Sequence, residues 1–302
     1  MRWGRTYFAV QALAGTAWWV AVFTSPIVRE TTLGSLNPVA VAAFDIPLFV
    51  GASALAALGV KGAAVVSTCW TGIVAIALAG YATVTTEAGW GVVVMALATA
   101  GSVFALCLVL LGRIPTDWMI RGPFAFRTAT VRRTAAPHVA STFGQIAVFW
   151  GLFLVVIPLI AGFLEQRWAI ALPVPAFVAP VGVAVLGLAS ALGIWSAIVM
   201  STLGNGTPLP SAMPTSLVIA GPYRWVRNPM AVAGIVQGAA VGLILSSWVV
   251  VVYAIAGSLV WNYAIRPHEE ADLEHRFGDE FRRYRDAVRC WLPRLRAAQL
   301  QR

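Results

Sequence analysis

The groups best able to bind or react lie in two short stretches near the C-terminal end. The first is Gly221-Pro222-Tyr223-Arg224-Trp225-Val226-Arg227-Asn228-Pro229-Met230, and the second is His268-Glu269-Glu270. Between them, Met230 to Ile265 carries no charged residue. Its length of 36 residues exceeds one membrane span of about 20 residues, and Ser246-Ser247 near its middle offers a turn. Folded as a hairpin, the run returns its two ends to one place. A tyrosine, two arginines, an asparagine, a histidine and two adjacent carboxylates then meet at one face of the membrane. Such a place can hold a polar molecule from the aqueous side while a lipid-like one enters sideways from the bilayer. On the pattern alone, a structural salt-bridge cluster accounts for the same residues equally well.

The rest of the chain must supply the membrane setting. Of 302 residues, 59% are hydrophobic and 11% charged, and the mean hydropathy is +0.80. Soluble domains average about 25% charged residues. The apolar runs are continuous and rich in Ala, Val, Leu and Gly rather than alternating, which excludes a transmembrane β-barrel and a soluble enzyme with one anchor. The expected fold is an all-α polytopic helical bundle, with spans near 8–28, 40–60, 63–83, 90–112, 143–163 and 174–200, and two more from the split hairpin. That makes eight.

The net charge of +9 reads as topology rather than as a nucleic-acid surface. With the N-terminus inside, every basic residue except Arg29 and Arg167 falls on the cytoplasmic side, so both termini are placed in the cytoplasm. The first run exceeds the 7–15 apolar residues typical of a secretory signal and is read as a retained span. Three regions follow: four spans over 1–112, a basic linker over 113–141 that contains Arg113, Arg121, Arg127, Arg132 and Arg133, and a second membrane region over 142–302. A proline-rich cytoplasmic loop, with Pro208, Pro210 and Pro214, precedes the first polar stretch. Beyond Ile265, Leu273, Phe277, Phe281, Tyr284, Val288 and Trp291 recur at helical spacing, predicting an amphipathic helix on the membrane surface or capping the bundle.

Other polar groups inside apolar runs are candidates because the bilayer makes them costly. Asp45, before Ile46-Pro47, either binds a cation or proton or begins a helix. Gln237, Asn262 and Tyr263 line a site or join helices, and Gly234, Gly238 and Gly242 suit close helix packing. Cys69, Cys107 and Cys290 have no paired spacing, so neither a disulfide framework nor a metal site is expected.

The two polar stretches resemble the integral-membrane methyltransferases that include isoprenylcysteine carboxyl methyltransferase and the phospholipid N-methyltransferases. The family pattern is approximately Gly-Pro-Tyr-x-x-x-Arg-(His/Asn)-Pro-x-Tyr-x-Gly, an apolar hairpin, and Glu-Glu-x-x-Leu-x-x-x-Phe-Gly-x-x-Tyr-x-x-Tyr with a terminal proline. Here the second part is carried by Glu269, Glu270, Leu273, Phe277, Gly278, Phe281, Tyr284 and Pro293. The likeness covers roughly 140–295 and leaves 1–112 outside.

The resemblance implies S-adenosylmethionine as methyl donor, held by Leu217, Val218, Tyr223, Arg227, Asn228, Pro229, Met230 and Glu269. A sulfonium and an ammonium both favour carboxylates and aromatic faces. Glu270 is implied to pair with an arginine such as Arg227 or to take a proton, His268 is a second base, and Arg266 orients the acceptor head group. Asn228 stands where many relatives have histidine, and Ala231 where most have tyrosine, which leaves room for a wider acceptor pocket. The implied acceptor is a lipid, an isoprenoid or an amphiphilic metabolite in a bacterial cytoplasmic membrane. Two other classes remain open: a sterol-reductase-like NADPH-dependent oxidoreductase, with phosphate on Thr207, Arg224 and Arg227, and a non-catalytic scaffold or transporter working through Asp45.

Overall fold

The computed structural model describes residues 2–120, 144, 147, 148, 150–204 and 215–293. The linker beyond Ile120, with Arg121, Arg127, Arg132 and Arg133, lies outside the described residues, as do the prolines of loop 205–214 with Thr207, and the tail after Pro293.

The protein is an all-α polytopic membrane bundle. Six helical segments among the described residues are long and apolar enough to cross a membrane: Arg2–Thr24, Pro38–Ala57, Lys61–Thr85, Gly89–Leu110, Val178–Leu203 and the apolar first part of Trp248–Ala287. A shorter apolar helix, Pro229–Ile244, stands beside them. The chain divides into two compact units, one of Met1–Pro115 with Phe163–Ala171 and one of Thr116–Gly162 with Leu172–Arg302.

In the first unit, α1 (Arg2–Thr24), α2 (Pro26–Leu33), α3 (Pro38–Asp45), α4 (Ala52–Ala57), α5 (Lys61–Thr85) and α6 (Gly89–Leu110) form the bundle. Asn37 caps α3, its side chain accepting from the Val39 and Ala40 amides, with Pro38 as the first helical residue. Asp45 therefore does not begin a helix, because the helix starts seven residues earlier. Gln11 of α1 donates to Ser53 at 3.1 Å and Ser67 at 3.0 Å and accepts from Ser102 at 2.9 Å, a buried polar knot joining α1, α4, α5 and α6. In lipid, where apolar contact alone does not favour helix over tail, such hydrogen bonds and close packing hold helices together.

Helix α7 (Ile157–Arg167) begins in the second unit and ends in the first, and the second unit continues with α8 (Val178–Leu203), α9 (Pro229–Ile244), α10 (Trp248–Val260) and α11 (Arg266–Ala287). The turn between α9 and α10 falls at Leu245–Ser247. Ser246 has a positive φ of 51°, and the Ser247 hydroxyl caps α10 by accepting from the Val250 amide. Gly238 and Gly242 face α10, and a Cβ at Gly242 would come within 2.8 Å of the Val251 nitrogen. Gln237 donates to Ser190 at 3.0 Å, tying α9 to α8. Gln237, Gly238 and Gly242 thus serve packing, whereas a Cβ at Gly234 would meet nothing within 4 Å and Tyr263 faces outward, 72% exposed.

Among the described residues, three π-helical turns, Ile46–Gly51, Gly151–Val156 and Trp261–Ile265, each contain a proline or lie two residues before one: Pro47, Pro158 and Pro267. A proline has no amide to give the carbonyl one turn back, so the ladder slips by one residue. Accordingly the Arg266 amide donates to the Trp261 carbonyl, five residues earlier. In this way α10 passes without a break into α11 and carries His268, Glu269 and Glu270 on the continuation of an apolar rod. The rod ends at Gly278, whose φ of 52° and ψ of −125° suit glycine and not L side chains. The apolar face expected to run from Leu273 to Val288 is consequently two helical pieces meeting at an angle, not one straight face.

Candidate functional site

The site is assembled from four segments of the second unit, and each is held in place by a local rule. The first polar stretch opens with Gly221 at a φ of 52°, where a Cβ would meet Val199 of α8 at 2.9 Å. A 3₁₀ turn, Gly221–Arg224, follows, with Pro222 and Tyr223 buried. Asn228 then caps α9, its side-chain oxygen accepting the Ala231 amide at 3.0 Å, and Pro229 occupies the first helical position. The Asn-Pro pair is therefore a helix start in its own right.

The second stretch meets the first through Arg227. Its guanidinium donates to Glu270 Oε1 at 2.9 Å and to the Arg285 carbonyl at 2.8 Å, while its backbone amide donates to the Arg289 carbonyl at 3.0 Å. The ion pair is mostly enclosed, with side-chain exposures of 12% for Arg227 and 24% for Glu270. One residue thereby joins the turn before the hairpin, the carboxylates after it and the end of α11.

Tyr284 adds a second tie by donating to the Tyr223 carbonyl at 2.7 Å. Burial pushes both phenols well above their ordinary range, so they remain neutral donors. Phe281, Tyr284 and Val288 form a buried cluster against Leu217, Ile219, Leu273 and Phe277, so the break at Gly278 folds the end of α11 back over the extended segment 217–219. Removing the Tyr284 hydroxyl leaves a carbonyl without its partner in this cover. Tyr284→Phe is expected to lower unfolding stability by about 1–2 kcal/mol, read as a fall in the thermal midpoint with the helical circular dichroism unchanged.

Glu269 is not the partner of Arg227. Burial pushes its carboxyl up to about 7, and the neighbouring charges of Glu270 and Asp272 add to the effect. Its charge in turn bears on Tyr223. The adjacent carboxylates are therefore unequal: Glu270 is paired with an arginine, and Glu269, half-buried, lies in a negative field that a cation would relieve.

Arg266 lies one turn before them. Its Nε is buried without a hydrogen-bond partner among the described residues, and its guanidinium bears on Cys290, whose thiol burial pushes up. His268 Nε2 is 3.3 Å from Thr116 Oγ1. Asn262 accepts from Trp291 at 2.8 Å, and Trp261 meets Trp291 edge to face.

The structure thus brings together Tyr223, Arg227, Glu269 and Glu270, with Arg266 and His268 on the same rod. Leu217 packs under the cover, Val218 and Pro229 are buried, and Met230 is half-buried at the first turn of α9. Sequence reasoning did not point to Thr116, to Cys290, or to the carbonyls of Arg285 and Arg289. Thr116 carries no local signal, and a carbonyl acts through the backbone whatever its side chain.

Residues 177–280 match the family model described as phospholipid methyltransferase. That stretch is similar to the phospholipid methyltransferases. The match contains both polar stretches and the hairpin between them. The protein is accordingly an S-adenosylmethionine-dependent membrane methyltransferase acting on a membrane-associated acceptor. None of the curated proteins compared with the chain matches it.

The donor set suits that cofactor. S-adenosylmethionine presents an ammonium and a sulfonium, and Glu269 is a half-buried carboxyl, pushed up to about 7, whose ionisation a cation would favour. Its carboxylate has a counterpart in the buried, unpartnered Nε of Arg266.

Proposed function

We propose that this methyltransferase works on an amphiphilic acceptor, a phospholipid, isoprenoid or lipophilic metabolite, at the cytoplasmic face of a bacterial inner membrane. In this reading the chain has eight spans with both termini in the cytoplasm, the working region is 142–302, and the end of α11 caps the site from the aqueous side. The observation that carries it is the inequality of Glu269 and Glu270 at the point where an apolar rod leaves the membrane.

When bound, S-adenosylmethionine supplies a methyl group on a sulfonium that departs as a neutral thioether. Glu269, with the ring of Tyr223 nearby, holds the cationic part of the cofactor. Leu217, Val218, Asn228, Pro229 and Met230 shape the pocket between the cover and the first turn of α9. Arg227 holds Glu270 in position. For an amine or hydroxyl acceptor, Glu270 or His268 takes the proton released as the nucleophile attacks; a carboxylate acceptor needs no base. Arg266 orients the acceptor's anionic head group or the cofactor's carboxylate. Most of the rate comes from alignment of nucleophile, methyl and sulfur away from bulk water.

A ligand that binds only the native state raises apparent stability. In detergent, S-adenosylmethionine and its demethylated product are expected to raise the thermal midpoint, whereas a reduced nicotinamide dinucleotide leaves it unchanged. Stabilisation by the nicotinamide alone would overturn the reading in favour of a reductase.

A further inference from the structure

The first unit contains a cavity of about 240 Å³ lined wholly by its own residues. Its walls are apolar, built from residues such as Leu33, Phe49, Val74, Leu78 and Met95. An apolar cavity of about 150 Å³ already accepts a benzene-sized guest. One end is closed where Tyr7 donates to the Ala98 carbonyl at 3.0 Å and presses on Gly101, leaving no space for a Cβ there. Val10 of α1 and Val94 of α6 line the cavity and are 58% and 46% exposed. In a bilayer those two residues border lipid, so the cavity opens sideways between α1 and α6.

One acidic group also lines this space. Asp45 is 3% exposed, and its two oxygens accept from the indole nitrogens of Trp19 at 2.9 Å and Trp70 at 2.7 Å. An ionised carboxylate has about four acceptor sites, and two are used here. Indole donors satisfy hydrogen bonding but bring no positive charge. No lysine, arginine or histidine is paired with Asp45 among the described residues. A lone carboxylate in a membrane span is costly unless a cation accompanies it. The cavity itself carries no basic residue, so a cation that balances Asp45 comes with the occupant.

We propose that the N-terminal unit binds a lipophilic amine, with its ammonium against Asp45 and its hydrocarbon in the cavity between α1 and α6. The amine enters from the bilayer past Val10 and Val94. Anionic and neutral lipophiles of the same length lack the charge that Asp45 selects. The site stands whether or not the second unit transfers methyl groups, because it involves none of that unit's residues.

The test uses the full-length protein in lipid nanodiscs, without methyl donor. The probes are an alkylamine carrying a diazirine at the end of its chain and the alcohol of identical length. After irradiation, labelled peptides are mapped. The amine is expected to label the segments around Leu33, Phe49, Leu78 and Met95 at least about tenfold more than the alcohol does, the ratio that a charge-assisted contact gives over a neutral one. Asp45→Asn should remove that preference. Should this variant not fold, Val94→Trp, which obstructs the opening from a lipid-facing position, should remove labelling of the cavity while circular dichroism stays native. Equal labelling by amine and alcohol would mean that a proton balances Asp45, and would overturn the proposal. So would amine labelling confined to outward-facing residues, or labelling that survives Val94→Trp.

Discussion

Glu269→Gln is expected to weaken S-adenosylmethionine binding by roughly 10- to 150-fold, the worth of about 1.5–3 kcal/mol for a hydrogen bond to a charged group. The side chain keeps its size and loses only the charge that the cofactor's cation needs. The wild-type protein should meanwhile show a pH dependence that the variant lacks. The Glu269 carboxyl is pushed up to about 7, so at pH 6 most of it is protonated and at pH 8 most is ionised. Affinity should therefore rise about tenfold from pH 6 to pH 8, provided the ionised form is the one that binds. Titration calorimetry at the two pH values measures this directly. A wild-type affinity that stays flat across the interval, or a glutamine variant that binds as tightly as wild type, removes Glu269 from the cofactor site.

The same group acts on stability with the opposite sign. Between the ordinary glutamate value of 4.5 and about 7, the folded protein without cofactor holds a proton that the unfolded chain has lost. This contribution to stability is fully present below 4.5 and declines as pH rises through about 7. Bound cofactor, by favouring the ionised carboxylate, should flatten that decline. Thermal midpoints measured across this range, with and without S-adenosylmethionine, are expected to diverge as pH rises.

Arg227→Ala should be the most damaging single change in the site. It removes the guanidinium that neutralises Glu270 and the donor to the Arg285 carbonyl. Removing one partner of a buried ion pair costs about 3–5 kcal/mol, and the residual exposure of this pair argues for about 2–3 kcal/mol. Methyl transfer should fall by at least about a hundredfold, because Glu270 then stands uncompensated beside Glu269 and pushes that carboxyl further up. Arg227→Lys can restore the charge but not both directed donors, so it should recover stability only in part. Adding Glu270→Gln to Arg227→Ala should regain stability without regaining activity. A double-mutant cycle on unfolding free energies measures the coupling. Additive losses would show that the pair does not hold the site together.

How much of this was legible in the residues differs by element. The helical membrane character follows from composition, because uncharged runs of span length allow little else in a bilayer. The turn at Ser246-Ser247 was legible because one apolar run was too long for a single crossing. The meeting of the two polar stretches followed from that hairpin. Asp45 was less legible: its place before Ile46-Pro47 suggested a helix start, yet Asn37-Pro38 had already begun the helix, and Pro47 produced a π turn within it. The straight apolar face expected between Leu273 and Val288 passed over the one residue, Gly278, whose backbone sends the chain back across Leu217 and Ile219.

By itself, then, the sequence determined the class of molecule, a helical membrane protein with a methyltransferase-like motif, because hydrophobicity and motif spacing are properties of the chain read locally. Only the tertiary structure decided which carboxylate is paired with an arginine and which is not. Glu269 and Glu270 are identical neighbours in sequence, and what separates them is the direction of Arg227, a product of packing between segments more than 40 residues apart. The same holds for Asp45, a lone acid in the sequence that two distant indoles and an apolar cavity turn into a binding site.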